Sequence, residues 1–503
     1  MTLLGIDVGT GGTRAIVIDD SGRVIASAVG SHAAFTSPQT GWAEQDPLDW
    51  WRATAEAVRA VLQQTHVNSD QIACIGLSGQ MHGAVLLDER DQILRNALIW
   101  CDQRTDAECR AITQRLGQDK LIELTSNPAL TNFTLTKMLW VRDHEPDMWS
   151  RTRSFMLPKD YVRLRLTGER ATDVADASGT LLFDVAHRCW SKPMLAAFEI
   201  EESLVPPVFE SPEITGRVSA DGAMATGLRQ GTPVVAGAGD QAAGAVGMGI
   251  VRPGAVSATI GTSGVVFAAT ARPALDRRGR VHTFCHAVPG RWHVMGVTQA
   301  AGLSLRWFRD RLGPEGDEQN TDQAYELLCA EAATVPAGSD GVMWAPYLMG
   351  ERTPHLNPRA RAALVGLAAN HTRAHVVRAI LEGVAFSLRD TFTIFEEMAV
   401  PVESIRLGGG GARSKLWRQI QADVYGHAVE ILSAEEGAAY GAALLAGVGG
   451  GVWPSVDDAC ARSVNVAARV EIDPAASALL EERYVAYRAI YPALNQISEK
   501  AGW

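Results

Sequence analysis

The 503-residue sequence lacks a basic excess, a paired-cysteine motif, a low-complexity linker and any run approaching 20 uninterrupted apolar residues. Each absence closes a class. A helix crossing a bilayer needs about 20 apolar residues in a row, so a membrane-spanning protein is not expected. Lys and Arg total 46 against 57 Asp and Glu, a net charge of -11, which argues against a sequence-independent grip on nucleic acid. An acidic chain that binds phosphates must do so locally, through backbone N–H groups, a metal ion or a few placed cations. The seven cysteines, Cys74, Cys101, Cys109, Cys189, Cys285, Cys329 and Cys460, are odd in number and form no CxxC pair. They read as free thiols in a reducing compartment. The start, Met1-Thr2-Leu3-Leu4-Gly5-Ile6-Asp7, carries no basic region and meets an acid too early for a signal peptide, so a cytoplasmic protein is expected. There is no GxxxxGK[ST] loop and no βαβ unit that opens on GxGxxG, which excludes the two commonest nucleotide-binding fingerprints.

What is present is the balance of a globular protein, with 47% hydrophobic and 20% charged residues. The length suggests roughly two to four domains. Three short apolar runs, Leu3–Ile6, Ala15–Ile18 and Val24–Ala28, are split by turn residues and predict a β-meander. Asp46-Pro47 opens a helix on which Trp51, Ala55, Val58 and Leu62 recur, and Ile72–Leu77 predicts another strand. The order β-β-β-α-β indicates an α/β domain. A weak echo of the first hairpin, Thr259-Ile260-Gly261-Thr262-Ser263-Gly264 followed by Val265–Ala268, lies half a chain later. It suggests two related domains, residues 1–250 and 251–503, with the boundary near the Gly and Pro cluster Met248–Gly254.

Asp7 ends the first strand and precedes a glycine bend. A carboxylate there can hold a hydrated Mg²⁺ while glycine N–H groups approach phosphate oxygens, with Thr10, Thr13 and Arg14 as further donors; a hairpin turn with an Asp cap is the bland alternative. Gly261-Thr262-Ser263-Gly264 and Gly408-Gly409-Gly410-Gly411 are two more strand-ending bends, and the three together look like a nucleotide cradle built from two domains. Asp240 stands between the strand-like Val234–Gly239 and a helix of small residues, Ala242–Gly247. It reads either as a helix cap or as a general base that takes a hydroxyl proton in phosphoryl transfer. Gln80, Met81 and His82 follow a strand end, where Gln80 and His82 can donate hydrogen bonds to a polyol. Trp42, Trp50 and Trp51 are expected to pack between domains.

Taken together, these segments resemble the FGGY family of carbohydrate kinases, and within it most closely the bacterial xylulokinases. The resemblance runs from Leu3 to about residue 490. It rests on Gly5–Thr10, Trp42–Pro47 with Trp50-Trp51, Gly79–Gly83, Leu157–Tyr161 and Gly239–Gly244 in the first half. In the second half it rests on Gly350–His355, Ala362–Glu382, Gly408–Ser414 with Trp417, and Glu436–Ala443. It implies an α/β fold of two actin-like, ribonuclease-H-like ATPase domains with an interdomain catalytic cleft. It also implies ATP with Mg²⁺, and transfer of the γ-phosphoryl group to D-xylulose. By the same resemblance Asp240 is the catalytic base, and Asp7 the acid at the metal and phosphates. Thr10, Gly11, Gly12 and Arg14 form the first phosphate loop, Gly261 and Thr262 the second, and Gly410, Gly411 and Ser414 the adenosine site. Met81, His82, Asp240 and Gln241 hold the sugar. Dimers are common in the family, so a homodimer is compatible with it.

Two departures bear on the acceptor. Gln241 stands where xylulokinases commonly have Asn, and Trp100-Cys101-Asp102 replaces the usual Trp-Asn-Asp. A kinase for another ketose or polyol, such as ribulose, a sugar alcohol or glycerol, is therefore the alternative, with a non-catalytic nucleotide-dependent sugar sensor or clamp a more distant one. Against glycerol, Met81-His82 occupies the place of that kinase's Arg-Glu pair.

Overall fold

Apolar residues that alternate along a seven-residue stretch can serve two layers at once, and the first strand does so. In β1, Thr2–Val8, the side chains of Leu4, Ile6 and Val8 join Trp50, Val58 and Val61 of helix α1, Pro47–Thr65. Leu3, on the other face, joins a separate apolar cluster. β1 is thus a central strand, buried on both sides. The computed structural model describes the chain except for His66, residues 314–320, 434–436 and 502–503. Glu436, first residue of one of the quoted motifs, lies outside the described residues.

β1 pairs antiparallel with β2, Gly12–Asp19, which pairs with β3, Val24–Ser31, as the meander predicts. On its other edge β1 runs parallel to β4, Ile72–Gly79. The sheet continues with β5, Ile214–Arg217, antiparallel to β6, Pro233–Val235, which runs parallel to β4; β7, Ala238–Gly239, lies beside the end of β4. The strand order is β5-β6-β4-β1-β2-β3. Helix α2, Asp240–Gly247, starts directly from β7.

The second domain repeats this plan. β8, Gly254–Ile260, pairs antiparallel with β9, Gly264–Thr270. β10, His282–Cys285, and β11, Trp292–Thr298, extend that edge. On the opposite edge β8 runs parallel to β12, Val402–Gly409, then come β13, Val429–Leu432, and the antiparallel β14, Val466–Val470. In both sheets the strand that opens the meander is central, with a hairpin on one side and parallel strands on the other. The two short Gly-Thr bends of the sequence occupy the same place, the β1–β2 and β8–β9 turns. Helix α3, Arg373–Glu397, covers the second sheet and buries Val377, Ile380, Leu381 and Val384 in its core.

Helix α4, Gly437–Gly449, belongs to the second half of the sequence but packs on β1, β4 and α2 of the first. The approach is backbone to backbone. A Cβ on Gly76 would lie 2.0 Å from the Ala442 carbonyl oxygen, and one on Gly441 would lie 1.8 Å from that of Ala243. No side chain fits there, so these glycines set how closely the two halves meet.

The tryptophans differ from expectation. Trp50 is fully buried within the first domain and donates its Nε1–H to Gln45 Oε1 at 3.1 Å, while Trp51 lies under Arg165 and Trp42 under Arg104. They pack within the first domain and not between domains, because α1 turns Trp50 onto the sheet it covers.

Candidate active site

Parallel strands end at one edge of each sheet, and the candidate residues lie just beyond those ends. Asp7 is next to last in β1, in register with Ser78 of β4 and Arg14 of β2. Its Oδ1 accepts from Ser78 Oγ at 3.0 Å. Burial lifts its pKa, and the Ser78 hydroxyl and Arg14 charge draw it partly back. Asp240 is the first residue of α2, one past the N-cap Gly239; its pKa is pushed up to about 7, first by burial and then by the charge of Asp7. Gln241 opposes this shift through hydrogen bonds from its backbone and side chain. An acid whose pKa is raised by a second acid beside it suits a proton acceptor next to a cation.

Asp240 and the sugar-type loop are joined by close packing. The site of a Cβ on Gly239 lies 2.9 Å from Met81 Sδ, and that on Gly179 lies 2.7 Å from His82 Nδ1 and 3.2 Å from Met81 Cε. Met81 therefore fills the space between the turn that carries Asp240 and His82. His82 has φ 68°, a left-handed backbone unusual for a residue with a side chain and often found at functional sites. Its Nδ1 donates to the Gly179 carbonyl at 2.7 Å, and burial lowers its pKa to about 3. A neutral ring with Nδ1 protonated leaves Nε2 as a hydrogen-bond acceptor, where the sequence suggested a donor. Gln80 is not free for a polyol at all. Its Nε2 donates to Gln45 Oε1 at 3.0 Å, and its Oε1 accepts from Thr10 Oγ1 at 3.3 Å.

Those contacts tie the first glycine bend to the acceptor loop. Thr10 also accepts from Trp100 Nε1 at 2.9 Å and, through its carbonyl, from Gln45 Nε2 at 2.8 Å. Gly11 and Gly12 close the turn, with Gly9 N–H donating to the Gly12 carbonyl at 3.0 Å. Arg14 stands across from Asp7. Thr13 departs from expectation: it is fully buried under the bend, its hydroxyl engaged with His32, so it offers nothing to a phosphate.

The remaining predicted residues converge in the second domain. A cavity of about 610 Å³ is lined by Gly261, Thr262, Gly410, Gly411, Ser414 and Trp417. The fold brings the β8–β9 turn and the end of β12 together, since Ile260 and Gly409 are register partners. Gly409 has φ 72°, and a Cβ there would meet the Ile260 carbonyl oxygen at 2.5 Å. The run of glycines is thus required by the crossing of two strands as well as by access to the cavity.

A buried charge network supports the acceptor loop from behind. Lys159 Nζ lies 2.5 Å from Asp160, 2.7 Å from Asp173 and 3.4 Å from Asp176, and all four are fully buried. The three acids could hold a metal ion, but the Lys159 ammonium already supplies the cation among them. Asp173 caps the turn Val174–Ala177 that leads to Gly179 and so to His82. Periodicity gives no hint of this network; only the quoted Leu157–Tyr161 segment pointed to its neighbourhood. Asn132 was missed too: it is 3% exposed, and both of its amide atoms lack a partner among the described residues.

The profile of the FGGY family of carbohydrate kinases, N-terminal domain, matches residues 2–247, and that of its C-terminal domain matches residues 256–450. The chain is 39% identical to the xylulose kinase of Bacillus subtilis over 466 residues, covering 93% of this chain and 92% of the relative. It is 40% identical to the xylulose kinase of Escherichia coli over 444 residues, covering 88% of this chain and 89% of the relative. The crystal structure of xylulose kinase from Rhodospirillum rubrum superposes with a TM-score of 0.91 at 32% identity, covering 99% of each chain.

Proposed function

The chain belongs to the FGGY family of carbohydrate kinases, and from that premise we propose that it transfers the γ-phosphoryl group of ATP to D-xylulose, giving D-xylulose 5-phosphate. The observation that carries the acceptor assignment is the wedge of Met81 between Gly239 and His82, which puts a neutral imidazole acceptor beside the turn that bears Asp240. Full-length relatives named as xylulose kinases support the same reading.

In the step itself a primary hydroxyl of the open-chain ketose attacks the γ-phosphorus. Its oxygen bonds to phosphorus, the bond to the bridging oxygen breaks, ADP leaves, and Asp240 takes the hydroxyl proton. A positioned base of this kind is worth roughly 10²–10⁴ in rate. Met81, His82 and Gln241 orient the sugar. Thr10, Gly11, Gly12 and Arg14 face the transferred phosphoryl group, Gly261 and Thr262 hold the inner phosphates, and Gly410, Gly411 and Ser414 hold the adenosine. The donor set also fits Mg²⁺: Asp7 is a half-buried carboxylate whose charge raises the pKa of Asp240, and a divalent cation beside Asp7 would offset that repulsion. When bound, the ion neutralises charge on the phosphate oxygens.

On this reading residues 1–250 carry the acceptor and the base, and residues 251–503 most of the nucleotide site. All seven cysteines are free, which supports work in a reducing cytoplasm. Among the described residues no helix is long and apolar enough to cross a membrane.

The test is ADP release with Mg-ATP across D-xylulose, D-ribulose, L-ribulose, xylitol, glycerol and no acceptor. A kcat/KM for D-xylulose about tenfold or more above the others is the expected result. A preference for another acceptor keeps the kinase and moves the specificity; turnover with none of them overturns the assignment.

A further inference from the structure

An indole N–H can only donate, so a hydrogen-bonded chain with a tryptophan at each end has its polarity settled throughout. One such chain joins Thr10, in the first glycine bend, to Gln80. At one end Trp50 Nε1 donates to Gln45 Oε1 at 3.1 Å, and Gln80 Nε2 donates to the same oxygen at 3.0 Å, which uses both of its lone pairs. Gln45 Nε2 then donates to the Thr10 carbonyl at 2.8 Å. Gln80 Oε1 is left as an acceptor, and it takes the Thr10 hydroxyl hydrogen at 3.3 Å. At the other end Trp100 Nε1 donates to Thr10 Oγ1 at 2.9 Å. Gln45 and Gln80 are buried with every amide nitrogen and oxygen paired, so removing one member strands polar atoms of the next away from water.

The backbone around this chain is fastened independently. The short strand Glu44–Gln45 pairs with Ala97–Leu98, and the Ile99 N–H donates to the Ala43 carbonyl at 3.1 Å. The Ala84 N–H donates to the Leu98 carbonyl at 3.1 Å, and the Gln80 N–H to the Val8 carbonyl at 2.9 Å. Gln45 and Trp100 thus come from one small ribbon that also holds the far end of the Gly79–Gly83 loop. Gln80 comes from the loop itself, directly before Met81 and His82. The hydrogen of the Thr10 hydroxyl is engaged with Gln80, so that hydroxyl links the bend to the loop and is not a donor to phosphate.

We infer that Gln45, Gln80 and Trp100 are positioning residues: acting through Thr10, they set the glycine bend against the Met81–His82 loop, and with it the approach of the acceptor hydroxyl to the phosphoryl group. The inference rests on the kinase reading above. In-line transfer depends steeply on that approach, and a misplacement of about 1 Å can cost about 10²-fold in rate. A slack link also lets water compete with the hydroxyl for the phosphoryl group.

The experiment compares wild type with Thr10→Val, Thr10→Ser, Gln80→Met, Trp100→Phe and the double variant Thr10→Val with Gln80→Met. It reads kcat, the KM of ATP and of the acceptor, and the ratio of ADP formed to sugar phosphate formed. Thr10→Val and Gln80→Met should each lose at least about tenfold in kcat, with both KM values within about threefold and a ratio above that of wild type. Thr10→Ser keeps the hydroxyl and should stay within about threefold of wild type. The double variant should be no slower than the slower single, because both changes cut the same link. Trp100 is 42% exposed, and phenylalanine keeps its ring without the N–H, so Trp100→Phe carries the test if a buried variant fails to fold. It should lose at least about threefold in kcat. Losses that multiply in the double variant, or a rise of about tenfold or more in the ATP KM of Thr10→Val, would put the hydroxyl on the phosphate and overturn the inference. So would a wild-type kcat in Thr10→Val or in Trp100→Phe. The acceptor used is whichever of the panel wild type turns over fastest, so the choice of sugar does not enter. A wild type that turns over none of them overturns the kinase reading and this inference with it, whereas failure of the inference alone shows beside an active wild type.

Discussion

Asp240 shows how much chemistry one half-buried residue can draw from its surroundings. Burial and the charge of Asp7 push its pKa up to about 7, so the free enzyme is half protonated near neutrality. The base form exists above that value. We expect kcat/KM for the sugar to rise through an acid limb with a midpoint near pH 7 and then level off; a limb near pH 4 would mean that another group sets it. The same shift has a cost in stability. The folded pKa lies above the unfolded value of 3.8, so the unfolded carboxyl gives up its proton more readily. The folded state therefore loses stability as pH rises towards and through about 7, by on the order of 4 kcal/mol in full. Asp240→Asn should melt at a higher temperature than wild type at pH 8, and at nearly the same temperature at pH 4, while losing about 10²-fold or more in kcat. An equal Tm at pH 8 would place Asp240 in a better solvated position than the structure gives it.

At the level of elements, the segment Asp173–Gly179 is positioned by charge and not by apolar packing alone. Lys159, on the helix Pro158–Thr167, holds Asp160, Asp173 and Asp176 around one ammonium. Without that ammonium three buried carboxylates face one another with only Arg163, paired to Asp160, left to offset them. Lys159→Met should cost at least about 3–5 kcal/mol, read as a drop in the urea midpoint or as failure to accumulate folded protein. A variant as stable as wild type would show that the acids are held by other contacts. Such a network is close to illegible in a sequence, because Lys159 and its partners look like ordinary helix and turn residues until the fold closes over them. The glycine bends were legible for the opposite reason. Each ends an apolar run, and both the β1–β2 turn and the end of β12 lie where strand-ending bends were expected. Gln80 was expected to donate to a polyol but is held by Thr10 and Gln45, and the ring of His82 donates to Gly179, partners that come from other parts of the chain.

For the molecule as a whole, the two halves of the sequence are two copies of one sheet plan, and the site depends on how they are joined. The weak Gly-Thr echo revealed the repeat, but nothing local showed that α4 would leave its own half and lie on β1, β4 and α2. That contact is backbone against backbone, and α2 begins with Asp240. Gly441→Ala would place a methyl 1.8 Å from the Ala243 carbonyl oxygen, so α2 and α4 must separate. Overpacking of this kind costs about 1–3 kcal/mol. Because the displaced helix carries the proposed base, whereas the cavity proposed for the nucleotide is lined by second-domain residues, kcat should fall at least tenfold with ATP affinity changed by less than about threefold. Gly244→Ala is the matched control on α2: a Cβ there meets nothing within 4 Å, and alanine favours a helix by up to about 1 kcal/mol, so this variant should keep its activity and melt no lower than wild type. If Gly441→Ala behaves like Gly244→Ala, the close approach of α4 does not position the base. If both lose activity, α2 tolerates no added side chain, and the effect cannot be assigned to the contact between the halves.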